Sequence, residues 1–208
     1  MKKGILLFDI DQTLIDTDKA SEKHNEKILK ILGNPDKNEY QKIKDTYKHS
    51  LSNQREYDPE VIYKKVCERF NFKNLSSLLN VYYEKENWFI YKESVFPEVK
   101  ECLGKLKDNY NFGIFSEGVP KFQNNKFQAM GIAEYFESDL IFIVNAKDNI
   151  EIISKLPKDS IIVDDKENIC EFLTNNGFRA IWLNKKDNEK SDRFKTIHNL
   201  LDLPEILL

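Results

Sequence analysis

Five short apolar runs, separated by helical patterns, constrain the fold of this 208-residue chain more than any other feature. Each run is continuous rather than alternating, which is typical of a strand buried on both faces of a sheet. Strands that alternate with helices predict an α/β fold with a doubly wound parallel sheet. The runs lie at residues 4–8, 112–115, 140–144, 161–163 and 180–183.

A long interval without a convincing strand interrupts this alternation between about residues 16 and 93. Helical stretches fill it, one of them ending at Gly33 and others following Pro35, Pro59 and Asn74. We therefore predict two units. Residues 1–15 and 94–208 form the sheet core, and residues 16–93 form an inserted, all-helical subdomain.

The charge balance argues against a nucleic-acid polymer as the partner of this chain. Lys and Arg number 32 against 35 Asp and Glu, so the net charge is −3 and no basic footprint is present. No stretch approaches the length of a membrane span, and the apolar run at 5–8 is too short for a signal peptide. We expect a cytoplasmic protein without a membrane partner, whose three cysteines are reduced core residues.

Two carboxylates, Asp9 and Asp11, directly follow the first apolar run. In an open α/β sheet, ligands bind outside the carboxyl ends of the strands, so this pair lies where chemistry is expected. Two neighbouring like charges repel by about 1 kcal/mol in water and by more in a cleft, and a divalent cation relieves that repulsion. On this pair alone, a turn-forming or helix-capping cluster is an alternative interpretation.

Polar residues also follow the next two runs. Ser116, Glu117 and Gly118 end the run at 112–115, and a hydroxyl beside a glycine suits a phosphate bound by that hydroxyl and by backbone amides. Lys147 follows the run at 140–144 and could neutralise a phosphoryl group, with Lys155 as its substitute.

A second acidic pair, Asp164 and Asp165, follows the run at 161–163. Parallel strands bring their carboxyl ends to one edge of the sheet, so both acidic pairs are expected at the same edge. Mg²⁺ prefers oxygen ligands, and these carboxylates predict a magnesium site there.

Residues 9–13, with the sequence Asp-Ile-Asp-Gln-Thr, resemble the Asp-x-Asp-x-Thr signature of the haloacid dehalogenase superfamily. Ser116, Lys147 and the pair at 164–165 stand in the order of that family's other motifs. The resemblance implies a Rossmann-like core with an inserted helical cap. It also implies that Asp9 is a nucleophile that forms an aspartyl-phosphate and that Asp11 is the general acid and base. Dehalogenase members lack the second carboxylate, so Asp11 favours a phosphatase.

The same resemblance implies a ligand set for Mg²⁺. It comprises Asp9, the backbone carbonyl of Asp11, and Asp165, with Asp164 as the close alternative to Asp165. Ser116 and Lys147 would then hold the phosphoryl oxygens as catalytic residues.

Two positions depart from the family pattern. Glu117, which we place with Gly118 among the substrate-binding residues, stands where Asn is common, and a carboxylate there repels phosphate unless it points away. Asp148 stands where Pro usually follows the family's lysine. These departures leave room for an alternative, a non-catalytic binding or regulatory protein on the same fold.

The expected substrate is a small phosphorylated metabolite, with nucleotides and sugar phosphates among the candidates. Aromatic residues in the 16–93 interval could stack on a base or a sugar, although most such residues form the core of a cap. We assign no function to the three histidines and regard Arg55 as a surface residue that could also clamp an anion. The aromatic residues are Tyr40, Tyr47, Tyr57, Tyr63, Phe70, Phe72, Tyr82, Tyr83, Trp88, Phe89 and Tyr91.

Overall fold

The computed structural model describes residues 3–208 and contains a six-stranded sheet in the order β3-β2-β1-β4-β5-β6. Every pair of neighbouring strands is parallel. The predicted doubly wound α/β fold is therefore confirmed. The strands are β1 (Gly4–Phe8), β2 (Tyr110–Glu117), β3 (Phe136–Val144), β4 (Ser160–Asp164), β5 (Arg179–Leu183) and β6 (Lys195–Ile197).

Helices lie between the strands and in the long interval after β1. Five of the ten begin after a capping Asp or Asn, because a side-chain oxygen at the cap satisfies a free backbone N–H. Asp16 accepts from the N–H of Lys19 at 2.9 Å, for example. The helices are α1 (Thr17–Ile31), α2 (Lys37–Ser50), α3 (Pro59–Arg69), α4 (Leu75–Tyr83), α5 (Phe89–Lys92), α6 (Val99–Leu106), α7 (Pro120–Ala129), α8 (Ile150–Ile153), α9 (Glu167–Asn175) and α10 (Asp202–Leu207).

Helices α1–α5, joined by loops and two short 3₁₀ turns, form a continuous helical insertion between β1 and β2, which we call the helical insertion (residues 17–92). Its interior is aromatic and partly polar. The hydroxyl of Tyr63 lies 3.1 Å from that of Tyr40 and 2.8 Å from that of Tyr82, all three side chains being buried. These tyrosines are core residues, as expected for most aromatics of such a subdomain.

The sheet is buried on both faces. Leu7 and Ile162 belong to one apolar cluster, whereas Leu6, Phe8 and Val163 belong to a second and larger one that continues into the helical insertion. This alternation explains why the strands read as continuous apolar runs. Within the described residues 3–208, no helix is long and apolar enough to cross a membrane.

The C-terminal segment differs from the sequence expectation. The run of charged residues at 184–193 predicts a loop, and the apolar residues from Ile197 onward predict a closing helix. Instead, residues 195–197 form the edge strand β6, paired with β5, and the helix α10 begins only at Asp202. A three-residue strand is too short to show a periodic pattern, so tertiary pairing with β5 decides its conformation.

Candidate active site

The carboxyl ends of β1, β2 and β4 meet at one edge of the sheet and bring the predicted site residues together. Asp9 directly follows β1, and its backbone N–H continues the ladder by donating to the carbonyl of Val163 at 2.9 Å. Ser116 lies near the end of β2, and Asp164 ends β4. All three residues are at least 97% buried, which places them beneath the surface at the strand ends.

Lys147 lies between two of these carboxylates. Its Nζ is 2.6 Å from Asp9 Oδ1 and 2.6 Å from Asp164 Oδ2, and its side chain is fully buried. Burial opposes the positive charge, but Asp164 and Asp9 outweigh it and raise the pKa of Lys147 above its ordinary value. The site therefore contains a fixed cation. Lys155, the substitute in the sequence interpretation, is exposed instead.

Asp9, Asp164 and Asp165 form an acidic cluster whose ligand atoms all lie within 4.8 Å of one another. Burial, together with repulsion from the neighbouring carboxylates, raises the pKa of Asp9 to about 6 and that of Asp165 to about 8. Oδ1 of Asp165 is buried and has no hydrogen-bond partner within the part of the chain that the structure describes. One lysine cannot balance three carboxylates, so this donor set fits a hard divalent cation such as Mg²⁺.

Asp11 lies outside this cluster and is held by three other side chains. Thr17 Oγ1 donates to its Oδ1 at 2.7 Å, Gln123 Nε2 donates to its Oδ2 at 2.8 Å, and Lys126 Nζ contacts both oxygens at 2.6 and 2.9 Å. Although burial opposes ionisation, Lys126 and the hydrogen bonds lower the pKa of Asp11 to about 2. The two carboxylates of residues 9–13 thus differ in how far neighbouring groups offset their negative charge. The charge of Asp11 is well offset, whereas that of Asp9 is poorly offset.

The donors to Asp11 are not among the residues predicted from the sequence. Gln123 and Lys126 are three residues apart on α7 and therefore lie on one helix face, which is a recognisable signal once the orientation of that face is known. Thr17 is the first residue of α1 and belongs to the helical insertion. Asp11 is thus contacted both from the sheet core and from the insertion.

Two hydroxyl groups near the strand ends lack partners among the described residues. Ser116 Oγ and Thr13 Oγ1 are both buried, and no described side chain or backbone group hydrogen-bonds to them. Next to Ser116, Gly118 has φ +142°, and a Cβ there would lie 2.8 Å from Nε2 of Gln123, so only glycine fits this position. The Ser116 hydroxyl offers a free donor for a phosphate oxygen, whereas the backbone N–H of Gly118 already donates to the carbonyl of Val144 at 2.9 Å.

Glu117, the expected source of repulsion, is compensated by neighbouring donors. Its carboxylate accepts from Lys166 Nζ at 2.7 Å and from the backbone N–H of Lys147 at 3.2 Å. Burial opposes ionisation, but Lys166 outweighs it and lowers the pKa of Glu117. The carboxylate is therefore an anchor for nearby cations rather than an isolated negative charge.

Arg55 connects the helical insertion to the sheet core. One guanidinium nitrogen lies 2.8 Å from Asp148 Oδ1 and 3.6 Å from Glu117 Oε2. Its side chain is 25% exposed, so it occupies an interface rather than the free surface that the sequence analysis favoured. Asp148 and Glu117, the two departures from the family pattern, are thus partners of one arginine.

A cavity of about 310 Å³ lies between the helical insertion and the strand ends. Asp11, Asp165 and Gly118 border it on the side of the sheet core. Small and acidic residues, among them Ser21 and Asp18, also line it. The aromatic and basic residues of its wall are His24, Lys48, Arg55, Tyr57, Tyr82, Tyr91, Phe122, Lys126 and Lys166.

Solved structures of similar fold align with this chain over nearly its whole length. A haloacid dehalogenase-like hydrolase from Burkholderia xenovorans LB400 aligns with a TM-score of 0.72 at 18% identity, covering 100% of this chain and 97% of the other. A 2-haloacid dehalogenase from Pseudomonas syringae pv. Tomato DC3000 gives 0.65 at 20% identity, with 99% and 98% covered. A HAD phosphatase from Thermococcus onnurineus gives 0.64 at 19% identity, with 98% and 97% covered. At these identities the likeness shows the fold alone.

Sequence comparison supplies the family. No curated protein sequence matches the chain. The profile of the haloacid dehalogenase-like hydrolases, in contrast, matches residues 6–156, which is well over half of the chain and includes Asp9, Asp11, Ser116 and Lys147. By this match the chain belongs to the family of haloacid dehalogenase-like hydrolases.

Proposed function

We propose that this protein is a Mg²⁺-dependent phosphomonoester hydrolase that acts on a small phosphorylated metabolite through an aspartyl-phosphate on Asp9. The observation that carries the proposal is the second carboxylate, Asp11, which borders the cavity and is separate from the acidic cluster around Asp9. Dehalogenase members of the family lack a carboxylate at this position. A phosphatase needs one, because an alcohol leaving group must be protonated.

Asp9 has the surroundings of a nucleophile. It is 3% exposed, it contacts Lys147, and it lies at the strand ends near the unpaired hydroxyl of Ser116. In the proposed reaction, Ser116 and Lys147 hold the phosphoryl oxygens while a carboxylate oxygen of Asp9 attacks phosphorus in line with the leaving oxygen.

The residues that would hold Mg²⁺ are Asp9, Asp165 and the backbone carbonyl of Asp11. We favour Asp165 over Asp164 because Asp164 already accepts from Lys147 Nζ at 2.6 Å and from the backbone N–H of Lys166 at 2.9 Å. Asp165 Oδ1, in contrast, accepts no hydrogen bond from any described residue. When bound, the ion supplies positive charge that offsets the repulsion between the nucleophile and the phosphate.

Asp11 would act first as an acid and then as a base. Its low pKa suits the second step, in which an ionised carboxylate removes a proton from the water that attacks the aspartyl-phosphate. For the first step Asp11 must carry a proton. A phosphate dianion that enters beside it favours protonation, because a like charge raises the pKa of a carboxylate.

Residues 16–93 would serve as the cap of this enzyme. The helical insertion contributes Thr17, Arg55 and several aromatic rings to the cavity wall, so it contacts whatever leaving group is bound. Its closure would exclude water from the reaction. The cavity volume lies at the lower end of the roughly 300–1,000 Å³ found for ligand sites, which favours a small substrate such as a nucleotide or a sugar phosphate.

The experiment is a screen of phosphate release from nucleoside monophosphates, sugar phosphates and p-nitrophenyl phosphate, with Mg²⁺ and with EDTA. We expect release with Mg²⁺, silence in EDTA, and recovery when Mg²⁺ is restored. A parallel arm measures halide release from 2-chloropropionate. Halide release without phosphate release would overturn the proposal in favour of a dehalogenase, and inactivity in both arms would favour a binding protein.

A further inference from the structure

Lys126 lies at the centre of the site, and the reaction proposed above uses it only through the low pKa that it gives to Asp11. It projects from α7, its side chain is only 5% exposed, and its Nζ contacts both oxygens of Asp11. A buried ammonium is costly to desolvate, and a partner carboxylate repays that cost only in part. Asp11 does not require it for orientation, because Thr17 and Gln123 already bind the same carboxylate.

The ammonium also borders the cavity. Its Nζ lies 4.7 Å from the ring centroid of Phe122, and both residues line the cavity wall next to Asp11. An ammonium carries three N–H donors. Among the described residues, only the two oxygens of Asp11 accept from it, so one donor remains for a group bound in the cavity.

These contacts define where the leaving group of a phosphate ester would lie. The leaving oxygen must approach Asp11 to receive its proton, at a hydrogen-bond distance of about 3 Å. Because Nζ is 2.6 Å from one Asp11 oxygen and 2.9 Å from the other, the leaving oxygen is then also a close neighbour of the ammonium.

We propose that Lys126 is a catalytic residue on the leaving-group side, whose ammonium hydrogen-bonds the leaving oxygen and stabilises its negative charge in the transition state. This inference rests on the proposed phosphatase function. As the bond from Asp9 to phosphorus forms, the bond from phosphorus to the leaving oxygen breaks, and its electron pair goes to that oxygen. The proton comes from Asp11, and Lys126 keeps its own protons throughout.

The test uses leaving groups of different basicity. The leaving oxygen of an alkyl phosphate is strongly basic and depends on stabilisation of its developing charge, whereas p-nitrophenyl phosphate expels a stable phenolate that needs little help. Removing one preorganised donor to a developing charge costs roughly 10²–10³-fold in rate. We therefore expect Lys126→Gln to lower kcat/KM for an alkyl phosphate by about that factor, while the loss for p-nitrophenyl phosphate stays below tenfold. Lys126→Arg should restore much of the alkyl activity.

Lys121→Gln is the matched control, since Lys121 is an exposed lysine on the same helix, and it should change neither rate. Equal losses on the two substrates for Lys126→Gln would overturn the inference, because a residue that only supports the fold affects both reactions alike. If that variant does not fold, Lys126→Met, which keeps an apolar stem of similar length but lacks the ammonium, takes its place in the same comparison of the two substrates. Equal losses on both substrates would overturn the inference in that variant too.

The two proposals fail in different ways. A parent protein without phosphatase activity contradicts the proposed function itself. An active parent combined with a uniform loss in Lys126→Gln contradicts only the role of Lys126.

Discussion

His24 provides a quantitative test of the helical insertion, because its burial couples folding stability to pH. The ring is 2% exposed and stacks on Tyr82 with ring centroids 4.3 Å apart and an interplanar angle of 9°. Burial, which disfavours the charged imidazolium, lowers the pKa of His24 from 6.5 to about 3. The unfolded chain therefore binds a proton as the pH falls below 6.5, whereas the folded protein does not bind one until about pH 3.

The sign and the size of the effect follow from this difference. The free energy of unfolding falls with decreasing pH wherever the unfolded state binds more protons than the folded state. For a difference of one proton it falls by about 1.4 kcal/mol for each pH unit. Between pH 7 and pH 5, the contribution of His24 to the free energy of unfolding decreases by about 2 kcal/mol. For a chain of this length that corresponds to roughly 4–8 °C in Tm.

The assay is denaturant unfolding at pH 7 and pH 5 for the parent, for His24→Phe and for His49→Gln. Phenylalanine keeps an aromatic ring against Tyr82 but cannot be protonated. Between pH 7 and pH 5, the free energy of unfolding of His24→Phe should therefore decrease by about 2 kcal/mol less than that of the parent. His49 is exposed, and its replacement should leave the pH dependence unchanged. Equal pH dependence in the parent and His24→Phe would refute the reasoning.

Three further predictions follow from single features of the structure. Arg55→Ala removes the partly exposed contacts to Asp148 and Glu117, so we expect less than about 1 kcal/mol lost in a thermal melt. We expect the variant to have a lower kcat/KM than the parent at low salt, and this difference should shrink at high salt. A difference that does not depend on salt would contradict the prediction. Gly113→Ala puts a Cβ 2.5 Å from the carbonyl oxygen of Leu140, so it should destabilise by about 1–3 kcal/mol in chemical denaturation, and a neutral result would show that the strands separate easily. Ca²⁺ in place of Mg²⁺ should inhibit phosphate release, since its looser coordination aligns nucleophile and phosphate poorly; full activity with Ca²⁺ would count against the proposed metal site.

The sequence predicted the strand ends well because they obey a topological rule. Buried strands read as continuous apolar runs, and parallel strands bring their carboxyl ends to one edge, so Asp9, Ser116 and Asp164 could be placed near one another without coordinates. The bounds of β1 agree residue for residue with the apolar run at 4–8. The convergence of these side chains is a property of the fold rather than of local contacts.

The contacts that distinguish this chain were not predictable in the same way. Lys126 reaches Asp11 across 115 residues, and Arg55 reaches Asp148 across 93. Such pairs depend on how α7 and the helical insertion are oriented over the sheet, and no periodicity encodes that orientation. The departure at Glu117 indicated that something unusual occurs there, but only the positions of Lys166 and Arg55 show how its charge is balanced.

The central claim is that Asp9 is the nucleophile of a phosphatase, and phosphate release by Asp9→Asn tests it most directly. Asp9 is a buried carboxylate whose pKa is raised by burial and by its acidic neighbours, so replacing it with a neutral amide of similar shape should not lower the Tm. We predict that Asp9→Asn, compared with the parent at matched Mg²⁺, releases no phosphate from p-nitrophenyl phosphate above background while it unfolds at the temperature of the parent or higher. Hydrolysis within severalfold of the parent rate would contradict the account.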